Sequence, residues 1–213
     1  HSRSHALLVR RLPHEDEAAW AIRVKGEIDG AQRRLREEAG AAAGVFAYPY
    51  GEFTPALESV VAGLGLYAVG QQSGAVGPGT DLRAAPRFPM AGPYADPAQF
   101  ALKVHTRPLP VTVLAPADGL LGPAPQRPAL RLRLGTGPFR TDALRCYASG
   151  QGAVDLSWSD GRREVSVRPR RSLTSGGRYK YNCTAPAAQG SGVYFWYSYL
   201  WMKRNPDGSW YRD

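Results

Sequence analysis

The residues of this chain best suited to chemistry are two histidines, His1 and His5, in the pentapeptide HSRSH. Two imidazoles four residues apart can share one borderline cation such as zinc, which takes nitrogen donors readily. A third ligand of carboxylate type would complete a facial set and leave positions for water and substrate. The same five residues can equally be a tag remnant or a frayed terminus, so HSRSH alone leaves both readings open. His14, within PHEDE, reads as a solvated helix start.

Cys146 and Cys183 are the two cysteines, in the strand-like stretches LRCYAS and KYNCTA. A disulfide between them would imply an oxidising compartment, periplasmic or extracellular. Two buried free thiols are the alternative. Two cysteines alone make a poor zinc site.

These residues must be positioned by elements that the chain's periodicity predicts. Its 213 residues suffice for one large domain or two small ones, and no apolar run is long enough for a transmembrane helix. The start at His1 without a Met suggests a fragment or a processed product. In DEAAWAIRVKGEIDGAQRRLREEAG, the residues Trp20, Val24, Ile28, Ala31 and Leu35 recur at helical steps, with Pro13 near the start and Gly40 after the end. GVFAYPYGEF reads as a short buried strand entering a Pro-Tyr-Gly turn. A second helix is capped by Thr54, has Pro55 at its first position and is closed by Gly65. LYAVG reads as another strand, QQSGAVGPGTD as a glycine-rich loop, AAPRFPM as a further extended segment, and DPAQFALKVH as a third helix capped by Asp96. This alternation predicts an α/β layer with parallel strands over residues 1–110.

From Pro108 the texture changes. A Pro-rich stretch gives way to short alternating runs such as ALRLRLG, AVDLSWSD, RYKYNCTA and VYFWYSYLWM, separated by turn residues, which predict a β-sandwich over 111–213. Cys146, Trp158 and Cys183 echo an immunoglobulin-like order. In the last run, Phe195, Tyr197, Tyr199 and Trp201 fall on one face and Tyr194 and Trp196 on the other. Aromatic faces can stack on sugar rings, and inward-facing ones are sandwich core.

HSRSH, the helix phrase EIDGAQRRLREEAG and then FAYPYGEF together resemble the polysaccharide deacetylase (NodB-homology) family, carbohydrate esterase family four, over about residues 1–90. The family's His-Ser/Thr-x-x-His motif is matched by His1, Ser2 and His5, and its Pro-aromatic-Gly motif by Pro49, Tyr50 and Gly51. The resemblance implies the C-terminal part of a (β/α) barrel and a divalent metal, zinc foremost, held by His1 and His5. It also implies N-deacetylation of an N-acetylhexosamine polymer, with the Tyr50 backbone N–H aiding an oxyanion hole. The third ligand and the catalytic base would be an aspartate pair lying before His1. The Arg that many members carry ahead of Pro-Tyr-Gly is replaced by Ala47, as in the branch acting on poly-N-acetylglucosamine. The family's later Asp-Trp motif is absent, and Arg87, in PRFPM, stands about where it would fall and could steady a carboxylate. A Leu-x-x-His motif is nominally matched by Leu102 and His105, but that stretch reads as helix and His105 as a surface residue.

Charge separates the halves. Residues 1–110 carry 12 Lys/Arg and 11 Asp/Glu, whereas residues 111–213 carry 15 and 7. The second half, with Arg162, Arg163, Arg168, Arg170, Arg171 and Arg178, is expected to meet an anionic glycan or a phosphate-bearing membrane surface. No nucleic-acid motif is present, so nucleic acid is not an expected partner. The expectation is thus a metal-dependent polysaccharide deacetylase with a β-sandwich accessory domain. Its rival is a non-catalytic glycan-binding or export-assembly protein with a degenerate barrel.

Overall fold

A computed structural model describes residues 1–190 and 192–212. The chain divides into two compact units, one of residues 1–71 with 80–87, the other of residues 72–79 with those from 88 onward.

The first unit begins with an irregular segment that leads into α1 (Glu17–Ala39). Asp16 caps this helix by accepting the Ala19 N–H, and Gly40 ends it in the left-handed region at φ 74°, its N–H donating to Arg36 O. Trp20, Val24 and Ile28 are buried as the stripe predicts, but Leu35 is 42% exposed. The last turns of α1 therefore lie outside the core. Strand β1 (Val45–Ala47), helix α2 (Pro55–Gly63) and strand β2 (Tyr67–Val69) follow. Thr54 accepts the Leu57 N–H to start α2, with Pro55 in its first turn. The core of this unit joins Leu8, Trp20, Val24, Ile28, Phe46, Tyr48, Leu57, Val61 and Ala68.

The expected part of a (β/α) barrel does not form. Among the described residues this unit has a single sheet of two strands, β1 and β2, paired in parallel. AAPRFPM contributes only a bridge between Ala85 and Val69. Pro86 and Pro89 lack the N–H that a ladder needs, so pairing stops there. Two strands cannot close a barrel, which takes about eight. Over the whole described chain, β-strands dominate and three α-helices are present.

The second unit holds α3 (Pro97–Val104), then β3 (Arg107–Pro108), β4 (Val111–Ala115), β5 (Leu120–Leu121), β6 (Leu130–Leu134), β7 (Arg145–Ala148), β8 (Gly152–Val154), β9 (Leu156–Ser159), β10 (Glu164–Val167), β11 (Gly177–Pro186) and β12 (Tyr194–Lys203). One sheet runs β4-β6-β10-β9. The other runs β3-β12-β11-β7-β8, with β5 also on β12. Because β3 pairs with β12, residues 107 and 108 belong with the sandwich, and the expected boundary at 110 falls inside this unit. Leu130, Leu132, Val165 and Val167 from one sheet and Tyr181, Cys183, Phe195 and Trp201 from the other share one core. At the end of β12, Lys203 is fully buried, and its Nζ donates to Gly122 O, Pro123 O and Arg204 O at 3.2, 2.8 and 3.1 Å.

Cys146 and Cys183 are bonded, with sulfurs 2.05 Å apart. They stand directly opposite one another on β7 and β11, neighbours in one sheet. The immunoglobulin-like echo therefore does not extend to the bridge, which ties strands within a sheet rather than the two sheets together. Trp158 lies on β9, in the other sheet.

Candidate functional site

His1 and His5 lie on an irregular segment that is tied to α1 by polar contacts. The Arg3 N–H donates to Glu27 O at 3.0 Å, and both the N–H and the hydroxyl of Ser4 donate to Glu27 Oε2 at 2.9 Å. Gly30 makes the approach possible, because a Cβ there would come within 3.0 Å of Arg3 Cδ. Of the two glycines inside α1, Gly30 is thus explained by what lies against it, whereas Gly26 has nothing within 4 Å. The His5 N–H turns back to Ser2 O at 3.4 Å, and His5 itself adopts φ 58°. Ser2, between the two imidazoles in sequence, is buried, and its hydroxyl has no hydrogen-bond partner among the described residues.

The Pro-Tyr-Gly turn follows β1. The Tyr48 hydroxyl donates to Arg83 O at 2.7 Å, and burial pushes that phenol's pKa up, so it stays a donor. The Gly51 N–H donates to Tyr48 O at 2.9 Å and the Glu52 N–H to Pro49 O at 3.2 Å, which winds one tight turn. Tyr50 adopts φ 57°, ψ 6° inside it. A non-glycine residue in this region costs about 1–2 kcal/mol, and such strain concentrates at functional sites. Gly51, at φ 71°, is required twice over, since a Cβ would also meet the Gln71 backbone nitrogen at 2.7 Å.

The two segments meet at their aromatic rings. His1 and His5 have ring centroids 4.7 Å apart at 58°, and His5 meets Tyr50 edge-on at 4.6 Å. Two imidazoles this close can both reach one cation, since Zn–N bonds are ~2.0–2.1 Å. A buried ion pair also joins the segments. Arg10 Nη2 lies 3.3 Å from Glu52 Oε1, with the Glu52 side chain 1% exposed. The Arg10 carbonyl accepts Arg23 Nη2 at 2.9 Å, and Glu15 takes Arg23 Nε and Nη2 at 2.6 and 2.8 Å. The Arg23 hydrogen bonds hold the Glu15 carboxyl down at about 2.

Other candidates stand elsewhere. Arg87 donates Nε to Gly70 O at 2.8 Å, so its described partner is a backbone carbonyl at the end of β2 rather than a carboxylate. His14 is exposed at φ 63°. His105 is the exposed C-cap of α3, at the end of a helix as its sequence predicts. No group of three His, Cys, Asp or Glu able to hold a metal occurs among the described residues. The imidazole pair therefore fits part of a zinc ligand set, and the described residues bring no third ligand to it.

The expected basic group is dispersed. Arg178 lies over the Tyr211 ring at 5.6 Å, and Arg170 is 3.9 Å from Asp155. Arg168 is exposed just after β10. Sequence reasoning missed Arg131 and Arg133, which lie on the solvent side of β6, the strand paired with β10, and share Glu164. The alternation in LRLRL was the available signal, because period two puts both arginines on one face.

No protein-family model matches the chain, and no curated protein matches it significantly. Solved structures with local likeness include CopC from Methylosinus trichosporium OB3b, 14% identical, with 45% of this chain and 94% of that one covered and a TM-score of 0.31. PcoC, a methionine-rich copper resistance protein from Escherichia coli, is 13% identical, covers 46% of this chain and 99% of its own, and also scores 0.31. The endo-β-1,4-mannanase from Thermotoga petrophila is 13% identical over 89% of this chain and 44% of that one, with a TM-score of 0.32. Likenesses this low carry no argument about this chain.

Proposed function

We propose that this chain belongs to a metal-dependent enzyme that removes acetyl groups from N-acetylhexosamines in a polysaccharide, hydrolysing an amide C–N bond. The observation that supports the reading is the meeting of His1, His5 and Tyr50, with ring centroids 4.7 and 4.6 Å apart, on two segments far apart in sequence. It is reinforced by the left-handed backbone of both His5 and Tyr50. In this reading His1 and His5 hold two positions of a divalent cation, zinc foremost, and a carboxylate from outside the given residues is required to complete the set. The cation, when bound, supplies Lewis acidity toward an acetamide carbonyl. This chain's own contribution is to orient the two rings through the Ser4–Glu27 tether and to hold the Tyr50 turn beside them through Arg10 and Glu52. The Tyr50 backbone N–H is the donor assigned to the oxyanion. Arg87 and the Leu102–His105 motif are given no part. The Cys146–Cys183 bond supports a periplasmic or secreted location.

Acetate release from N-acetylglucosamine oligomers, measured on the full-length protein together with its bound zinc, tests the proposal. His5→Ala should lose both. Tyr50→Phe should keep both, because only the Tyr50 backbone is used. Unchanged zinc content and acetate release in His5→Ala overturns the assignment. Retention of an N-acetylated polymer by wild type with no acetate release replaces it with the non-catalytic glycan-binding or export-assembly reading.

A further inference from the structure

The solvent side of the β4-β6-β10-β9 sheet carries an ordered set of side chains. The inward residues Leu130, Leu132, Val165 and Val167 are buried, which leaves Thr112, Arg131, Arg133, Ser157, Ser159, Glu164 and Ser166 on the other face. Two rows cross the strands in register. One runs Thr112, Arg133, Glu164, Ser159, and the other runs Arg131, Ser166, Ser157. Adjacent strands are ~4.8 Å apart and same-side residues along a strand ~7 Å apart. Glu164 accepts Arg133 Nε and Nη2 at 3.1 and 2.7 Å and Arg131 Nη2 at 3.4 Å. Arg168, the next residue on that side of β10, is exposed, as are Arg162 and Arg163 at the turn into the strand.

A polar outer face is ordinary for a half-solvated sheet. Three features exceed the ordinary. Glu164 is the carboxylate registered against Arg131 and Arg133 in the paired rows, and Asp155 just before β9 lies 3.9 Å from Arg170, so with Arg168 the cations on this side outnumber the carboxylates. These cations are all arginine, whose planar fork suits carboxylates in a way a lysine point charge does not. Apart from Glu164 and Ala115, the other members of the two rows are short hydroxyls, able to bond sugar hydroxyls without obstructing a chain laid across the strands.

We propose that this face is a docking surface for an acidic polysaccharide, gripping its carboxylates with Arg131 and Arg133 and its hydroxyls with Ser157, Ser159, Ser166 and Thr112. A lipid surface fits less well, because the two registered rows contain no aromatic or long aliphatic residue to enter the interface. Single-stranded nucleic acid fits less well for the same reason, since bases need rings to stack upon. The proposal is independent of the imidazole pair.

Titration calorimetry of the protein with polygalacturonate oligomers at 50 and 300 mM NaCl tests it. Affinity should fall at least tenfold between the two salts, because exposed charges are screened over ~10 Å or less. Arg131→Gln leaves the Arg133–Glu164 pair in place and should weaken binding at least fivefold at the lower salt. Ser157→Glu, which alters no described contact, should do the same and guards against a variant that fails to fold. Unchanged affinity in both variants, tighter binding to phosphatidylglycerol vesicles or to nucleic acid than to polygalacturonate, or no polygalacturonate binding at 50 mM NaCl each overturns the proposal.

Discussion

The two units solve the problem of holding a side chain in place by different means. In the sandwich, position follows from period two. Along β6, β9 and β10 the faces follow alternation, residues of both sheets meet in one core, and Arg131 and Arg133 project outward because Leu130 and Leu132 project inward. In the first unit, the residues that could do chemistry lie on segments with no period at all. His1 and His5 are exposed, and their placement depends on Glu27, Arg10, Glu52 and two left-handed residues. Burial specifies many positions at once, whereas polar tethers specify one position each. A site built on tethers should be fragile locally, and a face built on alternation should survive most single changes.

The largest expected effect tests the sandwich. Replacing Cys146 and Cys183 together by Ala opens a loop spanning 37 positions, worth about 4 kcal/mol in the chain-entropy account. Denaturant unfolding followed by the Trp158, Trp196 and Trp201 fluorescence should show it. A loss below about 1 kcal/mol would mean that burial alone specifies these strands.

Next comes the buried pair of the first unit. Arg10→Met removes the described ionic partner of buried Glu52 and should cost about 3 kcal/mol, and adding Glu52→Leu should recover most of it. If the double variant is stable yet binds zinc in the full-length protein as wild type does, the pair is not what holds His5 beside Tyr50. Gly51→Ala should cost about 2 kcal/mol, since it combines a positive φ with a backbone contact. In the same unit, the Glu15 carboxyl is depressed to about 2 from an ordinary value of 4.5 by its Arg23 hydrogen bonds. A depressed acid stabilises the fold above its unfolded value, and that contribution is lost as pH falls from about 4.5 through about 2. Glu15→Gln should flatten this acid limb in a pH series of thermal melts, and an unchanged limb would show that Arg23 gains nothing from Glu15. The smallest effect belongs to Ser2→Ala, expected within about 0.5 kcal/mol because no described partner of the hydroxyl is lost. A large destabilisation would show that the Ser2 hydroxyl is engaged after all.

The same contrast governs what could be read before any coordinates. Thr54 and Asp96 each cap the helix that follows, as their sequence predicts, because cap chemistry is local. The sandwich strands were legible from alternation, including the inward set Phe195, Tyr197, Tyr199 and Trp201 on β12. The barrel was not a sound inference. Alternating strand and helix signals state what the elements are, while closure depends on how many strands pair, and Pro86 and Pro89 end the pairing early. Proximity of the two imidazoles to Tyr50 was an expectation drawn from motif resemblance alone. Nothing in the composition of HSRSH encodes the left-handed turn at His5, or the Gly30 notch that lets Arg3 lie on α1. The outer arginine face was readable from LRLRL but not its balance, because Glu164 reaches it from a strand about thirty residues later.

The rung between Cys146 and Cys183 has a mechanical consequence. It spans two neighbours in one sheet, so a load that peels the two sheets of the sandwich apart does not pass through it and is resisted without its help. A load that unzips β7 from β11, by contrast, travels one hydrogen-bonded rung at a time until it reaches the covalent one and arrests there. The molecule is therefore reinforced along one direction of pulling and ordinary along the other. That anisotropy would matter for a module anchored at one end and holding a long polymer at the other.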